Sequence, residues 1–170
     1  MAHSETLTDI YTDEMKDLWS ANDQMAKAVK AMSLKAHDPK LKEALEHSIA
    51  GIEKHAKTLR TLIGDAGAEV EKEHCKGMEG LLKEATKHIG SDAPKSSELL
   101  DIVIIAQYQR MSHYGLAGFG AAAAYAKALG LKDHSEKLSM IVSDIYAGDD
   151  YASKRVQKVE KLAAQSAKAA

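Results

Sequence analysis

The feature that most constrains this chain is a repeat of apolar residues, four residues then three, sustained over four long stretches. That spacing keeps one stripe of a helix facing its neighbours along the whole length. The first stripe is Leu7, Tyr11, Glu14, Leu18, Ala21, Met25, Ala28 and Met32, which predicts a helix over residues 4–34 capped by Thr6 or Thr8. The second is Leu41, Leu45, Ser48, Ile52, His55, Leu59 and Leu62. It predicts a helix over residues 39–65, with Asp38 as cap, Pro39 at the first helical position and Gly67 beyond the end. The third, over residues 97–129, is Leu99, Ile102, Ala106, Gln109, His113, Leu116, Gly120 and Ala123, and Gly130 ends it. The fourth, over residues 132–164, is Leu138, Val142, Ile145, Asp149, Ala152, Val156 and Val159.

Residues 68–95 join the second stretch to the third. Within them 70–89 read as helical, with Met78, Leu81, Leu82 and Ala85 on one side, and 90–97 as a turn. The only prolines are Pro39 and Pro94, so the long stretches carry no helix breaker. Four long helices with short outer turns and one long connection describe an all-α, ferritin-like four-helix bundle with a helical crossover. The 170 residues suit a single domain over 1–170, its core over about 5–162 and its end an Ala- and Lys-rich tail expected to fray. Phe119 is the only Phe and Trp19 the only Trp, so the core is expected to be mostly aliphatic.

Charge and apolar runs exclude several classes of function. The net charge is −2 and no basic stripe is present, which argues against a nucleic-acid partner. No run of 18 apolar residues predicts a membrane span. The opening residues lack a basic segment followed by an apolar run, and Cys75 is the only cysteine. Both features lead us to expect a reducing, cytoplasmic location. The glycines at 115, 118 and 120 are no dinucleotide fingerprint, because no strand precedes them. They and Ala121 to Ala124 predict a smooth helix surface for close helix approach, in the bundle or across a dimer. No strained turn places a serine for nucleophilic attack, and no small-molecule substrate is evident. The sequence leans away from an enzyme, and no catalytic residue is assigned.

Ionisable residues interrupt each stripe: Glu14, His55, His113 and Asp149. Such groups are costly at seam positions unless paired or bound to a metal. Counting residues from the turns puts them near one level, at about 1.5 Å per residue. Two imidazoles and two carboxylates suit iron, manganese or zinc, with iron the first expectation. Tyr11, Gln109 and Asp144 are the expected supporting partners of such a site. The alternative is a pair of buried ion pairs, Glu14–His55 and His113–Asp149, without a metal. Cys75 is expected to be a small buried residue, and His3, His37, His47, His88 and His134 to be solvated.

Four segments carry a family resemblance. They are L-x-D-I-Y-x-x-E at residues 7–14, C-K-G-M-E-G-L at 75–81, H-Y at 113–114 before a small-residue helix, and A-L-G-L at 128–131. On these the chain resembles the bacterial YciF/YciE-like ferritin-like proteins, a stress-associated family of unassigned reaction, over residues 5–160. The resemblance implies a homodimeric ferritin-like bundle with a carboxylate-rich metal site, to which Glu14 and His113 carry over. Members of that family place Glu just before and two after the His of the third long helix, where this chain has Ser112 and Gly115. They carry an acidic run in the second helix, where this chain has Ala50, Gly51 and Ile52. The depleted carboxylates imply a mononuclear site or a lost one, rather than a ferroxidase centre or an iron-storing cage.

Overall fold

The computed structural model describes residues 5–169, and of residues 162 and 165–169 only the backbone course. The elements in chain order are α1 (Leu7–Lys35), α2 (Pro39–Asp65), α3 (Lys76–His88), α4 (Ser97–Ala128) and α5 (Lys132–Ala169). The helix expected to begin at residue 4 starts at Leu7, and residue 4 itself, like His3, lies outside the described residues.

Local chemistry sets the helix ends. Thr6 and Asp9 form a reciprocal capping box at the head of α1. Asp38 caps α2 by accepting from the Leu41 N–H at 2.8 Å, and Pro39 follows it. The buried Asp101 carboxylate of α4 accepts from the backbone N–H groups of His37 and Asp38, at 2.9 and 2.8 Å. The α1–α2 turn is thereby anchored to α4. Gly67 and Gly130 stand just past α2 and α4 with φ of 76° and 75°, a conformation glycine takes without a Cβ penalty.

The crossover differs from expectation. Residues 68–75 form neither helix nor strand, and helix forms only from Lys76. Side chains of α1 hold this strap. Ser20 Oγ accepts from the Cys75 N–H at 3.1 Å, Gln24 donates to the Cys75 carbonyl at 3.0 Å, and Lys16 pairs with Glu71. The buried Cys75 thiol then caps α3 by accepting from the Met78 N–H. Asp101 at the head of α4 meets the backbone at the head of α2, so the crossover carries the chain back along the bundle. The chain returns the length of the bundle, and α2 and α4 run parallel.

Helices α1 and α2 pack as one hairpin and α4 and α5 as another. The hairpins join mainly through α1 and α4, whereas α2 and α5 touch sparsely. The core divides accordingly. One cluster gathers Met25, Val29, Met32, Leu45, Ile52, Met78 and Ile105, and another gathers Tyr11, Met15, Leu18, Leu59, Leu62, Phe119 and Leu138.

The α2 stripe is the buried face throughout, with Ser48 partly covered. The α4 stripe is displaced. Its buried face runs through Asp101, Ile104, Ile105, Met111, Ser112, Gly115, Phe119, Ala122 and Ala126, while Leu99 and His113 are exposed. Apolar residues occur all round this helix, so periodicity alone does not select its face. Of the histidines expected to be solvated, His134 is instead buried at the head of α5.

Candidate functional site

The four candidate ligands occupy three different interfaces. Glu14 lies half-buried between α1 and α4, its Oε1 close to the backbone of Gly118. Burial first, and Asp17 second, raise its pKa above the ordinary value. His55 is buried on α2 and faces α5, where its Nε2 lies 3.5 Å from Asp144 Oδ2. The Phe119 ring meets the imidazole edge-on at 5.9 Å. Desolvation lowers the His55 pKa, and the Asp144 hydrogen bond only partly opposes it. His113 is solvent-exposed on the outer α4–α5 seam, with Nε2 3.1 Å from Asp149 Oδ1.

The structure therefore brings His113 and Asp149 together but not Glu14 and His55, because His55 pairs with Asp144 instead. Of the expected supporting residues, Gln109 does meet Asp149, donating at 2.9 Å, and also donates to Ser153 at 3.0 Å. Tyr11 does not turn to Glu14. Its hydroxyl meets Nδ1 of the buried His134 at 2.9 Å, and burial pushes its pKa up to about 12. Among the described residues, no three His, Cys, Asp or Glu side chains are placed to share a metal ion.

The space between the hairpins is a cleft of about 890 Å³. Met25, Ile52, Ile105, Phe119 and Ile145 form much of its wall, with His55, Ser112, Tyr108, Asn22, Ser48 and Asp144 among its polar members. All five positions at which the sequence departs from the carboxylate-bearing pattern, Ala50, Gly51, Ile52, Ser112 and Gly115, line this cleft. A carboxylate-rich metal centre needs several oxygen donors on facing helices. At the five departed positions the cleft carries one hydroxyl, two glycines and aliphatic carbon, and the carboxylate that meets His55 is the single Asp144, so the residues present fall short of such a centre. Ser112 and the glycines were legible as departures from a pattern. That three glycines, Gly51, Gly115 and Gly148, meet at one opening depended on the phase of α4, which the sequence did not disclose.

Four long helices in two hairpins, joined by a crossover along the bundle, define a ferritin-like four-helix bundle. The chain belongs to the family described as domain of unknown function DUF892, whose model matches residues 6–166. It is 26% identical over 149 residues to Protein YciF of Escherichia coli (strain K12), spanning 85% of this chain and 87% of that protein. Its fold is similar to the crystal structure of the E. coli stress protein YciF, with a TM-score of 0.87 at 21% identity over 93% of this chain and 99% of that one. It is also similar to YcfI of Rhodopseudomonas palustris, named as a candidate structural protein, with a TM-score of 0.84 at 24% identity over 90% and 97% of the two chains. Among the described residues, no helix is long and apolar enough to cross a membrane.

Proposed function

We propose that this chain is a metal-independent, non-catalytic bundle of the stress-protein type, a structural and binding scaffold rather than an oxidase. One observation carries the reading: the cleft where the helices would present carboxylates is lined by Gly51, Ile52, Ser112 and Gly115. The candidate ligands are instead consumed pairwise, His55 by Asp144 and His113 by Asp149. Association into a homodimer belongs to the same proposal, and the exposed Ala117, Ala124 and Ala128 of α4 supply a smooth face for it. Among relatives, one is titled a stress protein and another a candidate structural protein, which suits this role.

The test is metal loading of untagged protein with Fe(II), Mn(II) and Zn(II), followed by desalting and elemental analysis. Less than stoichiometric retention of each metal is expected. One equivalent of iron, retained by the wild type and lost with His55→Ala, would restore the metal-binding reading.

A further inference from the structure

We infer that the cleft between α2 and α5 binds a neutral, mainly apolar organic molecule bearing a hydroxyl group, of the size and chemistry of an aromatic alcohol. The inference rests on the metal-free reading above and gives its binding scaffold a ligand class.

Size comes first. A cleft of about 890 Å³ falls within the range of small-molecule sites, which are mostly apolar with a few polar groups that orient the ligand. The walls supply aliphatic carbon and the Phe119 ring, which suit an apolar body.

The polar groups then choose the head. Ser112 is only 4% exposed and makes no hydrogen bond among the described residues, yet its hydroxyl is not sealed from the cleft. A hydroxyl so far removed from water is costly unless something bonds it. His55 presents Nε2 to the Asp144 carboxylate, which places the ring proton there and leaves Nδ1 as an acceptor. Nδ1 has no partner among the described residues. The cleft thus offers a hydroxyl and a lone pair. A ligand hydroxyl complements either, because it can donate to an imidazole nitrogen or accept from a serine.

The charges of the lining favour a neutral head. Arg155 at the edge of the cleft is held by the Asp38 carboxylate, and Lys40 and Lys54 are exposed at the rim. Glu43 and Asp144 line the same cleft, so its carboxylates balance Lys40 and Lys54 and the lining favours no net charge.

Glycines hold the space open. A Cβ added at Gly51 would meet nothing within 4 Å, and one at Gly115 only ordinary contacts at 3.9 Å or more. Helix interiors favour alanine over glycine. Packing therefore does not require glycine at either position, and both leave the cleft wider.

The experiment is calorimetric titration of the full chain with three probes: 1-naphthol, naphthalene and 1-naphthoate. We expect 1-naphthol to bind one per chain, about tenfold or more tighter than either of the others. Gly51→Leu should keep the helical circular dichroism and abolish naphthol binding. Ser112→Ala should narrow the preference for naphthol over naphthalene. Absence of naphthol binding at millimolar concentration overturns the inference, as does tightest binding of naphthoate or binding indifferent to Gly51→Leu. So does a Gly51→Leu change in oligomeric state without naphthol binding, since the cleft is then an interface between copies. Stoichiometric iron retention with naphthol binding intact overturns the metal-free reading alone. No iron retention and no naphthol binding overturns this one alone.

Discussion

Arg155 on α5 reaches across to Asp38, the residue that caps α2. Its Nε donates to Asp38 Oδ1 at 3.0 Å, and Nη2 makes a second bond to Oδ2. The same Asp38 Oδ1 accepts from the Leu41 N–H, so one carboxylate closes the helix end and one edge of the cleft. Both side chains are largely buried, at 14% and 21% exposure. Charge-assisted bidentate pairs are among the stronger hydrogen bonds. Arg155→Ala should cost about 1–3 kcal/mol in urea denaturation. Asp38→Ala should cost more, because it also removes a cap worth about 1 kcal/mol. No loss for Arg155→Ala would show that the clamp contributes nothing, and equal losses in the two variants that the cap contributes nothing.

The same carboxylate sets a pH dependence. Burial disfavours its charged form, but the Arg155 and Leu41 hydrogen bonds outweigh that and leave the pKa below the usual value. A folded-state pKa below the unfolded one means the unfolded chain takes up the proton first on acidification. The contribution of Asp38 is therefore fully present above about pH 4 and is lost as pH falls through the folded pKa. Stability measured from pH 6 to pH 2 should fall less steeply in Asp38→Asn than in the wild type.

His55 makes a prediction at higher pH. Desolvation lowers its pKa despite the Asp144 carboxylate beside it. The unfolded chain again binds the proton more readily. Stability from this group is complete above about pH 6.5 and declines as pH falls toward the folded pKa. An NMR titration of the His55 ring should give a midpoint below the ordinary imidazole value of about 6.5. A midpoint above 6.5 would mean that Asp144 dominates and the imidazole is charged in the cleft.

Much of this bundle was legible from spacing, and the exceptions have physical causes. On α2 apolar and polar residues segregate cleanly, so every stripe residue from Leu41 to Leu62 turns inward at least partly. On α4 alanine, glycine and isoleucine surround the helix, and no periodicity could choose between the face of His113 and the face of Ser112. That ambiguity put His113 on the wrong face, while His55 turned to Asp144 of α5 rather than to Glu14. The strap over residues 68–75 was hidden for another reason. Its sequence tolerates helix, but the Ser20 and Gln24 side chains of α1 take both backbone groups of Cys75, the residue just before α3. His134 was misread because nothing near it in sequence announces Tyr11, which lies on another helix.

The Tyr11–His134 bond offers a test of that buried pairing. Both residues are inaccessible, Tyr11 at 0% and His134 at 8%. Tyr11→Phe keeps the ring and deletes the hydroxyl, leaving a buried imidazole nitrogen without its partner. The expected loss is about 1–2 kcal/mol, near the cost of one unsatisfied buried group. His134→Phe in the Tyr11→Phe background should recover part of it, since replacing both partners removes the unmet polar atom. A neutral single substitution would argue that water reaches the pair.

Two glycines on α4, one helical step apart in purpose though only two residues apart in sequence, should respond to alanine with opposite signs. A Cβ at Gly120 meets nothing within 4 Å. Gly120→Ala then removes the backbone entropy of glycine in a helix at no steric cost, and should stabilise by about 0.5–1 kcal/mol. A Cβ at Gly118 would lie 2.6 Å from Leu18 Cδ2 and 2.9 Å from Glu14 Oε1. Leu18 is fully buried in the core and cannot swing away freely, and Glu14 would have to leave its half-buried place between α1 and α4. Overpacking of this kind costs about 1–3 kcal/mol, more than the helical preference for alanine returns. Gly118→Ala should therefore destabilise the protein in urea denaturation. If both substitutions stabilise, α1 and α4 are not in the close contact that Gly118 permits.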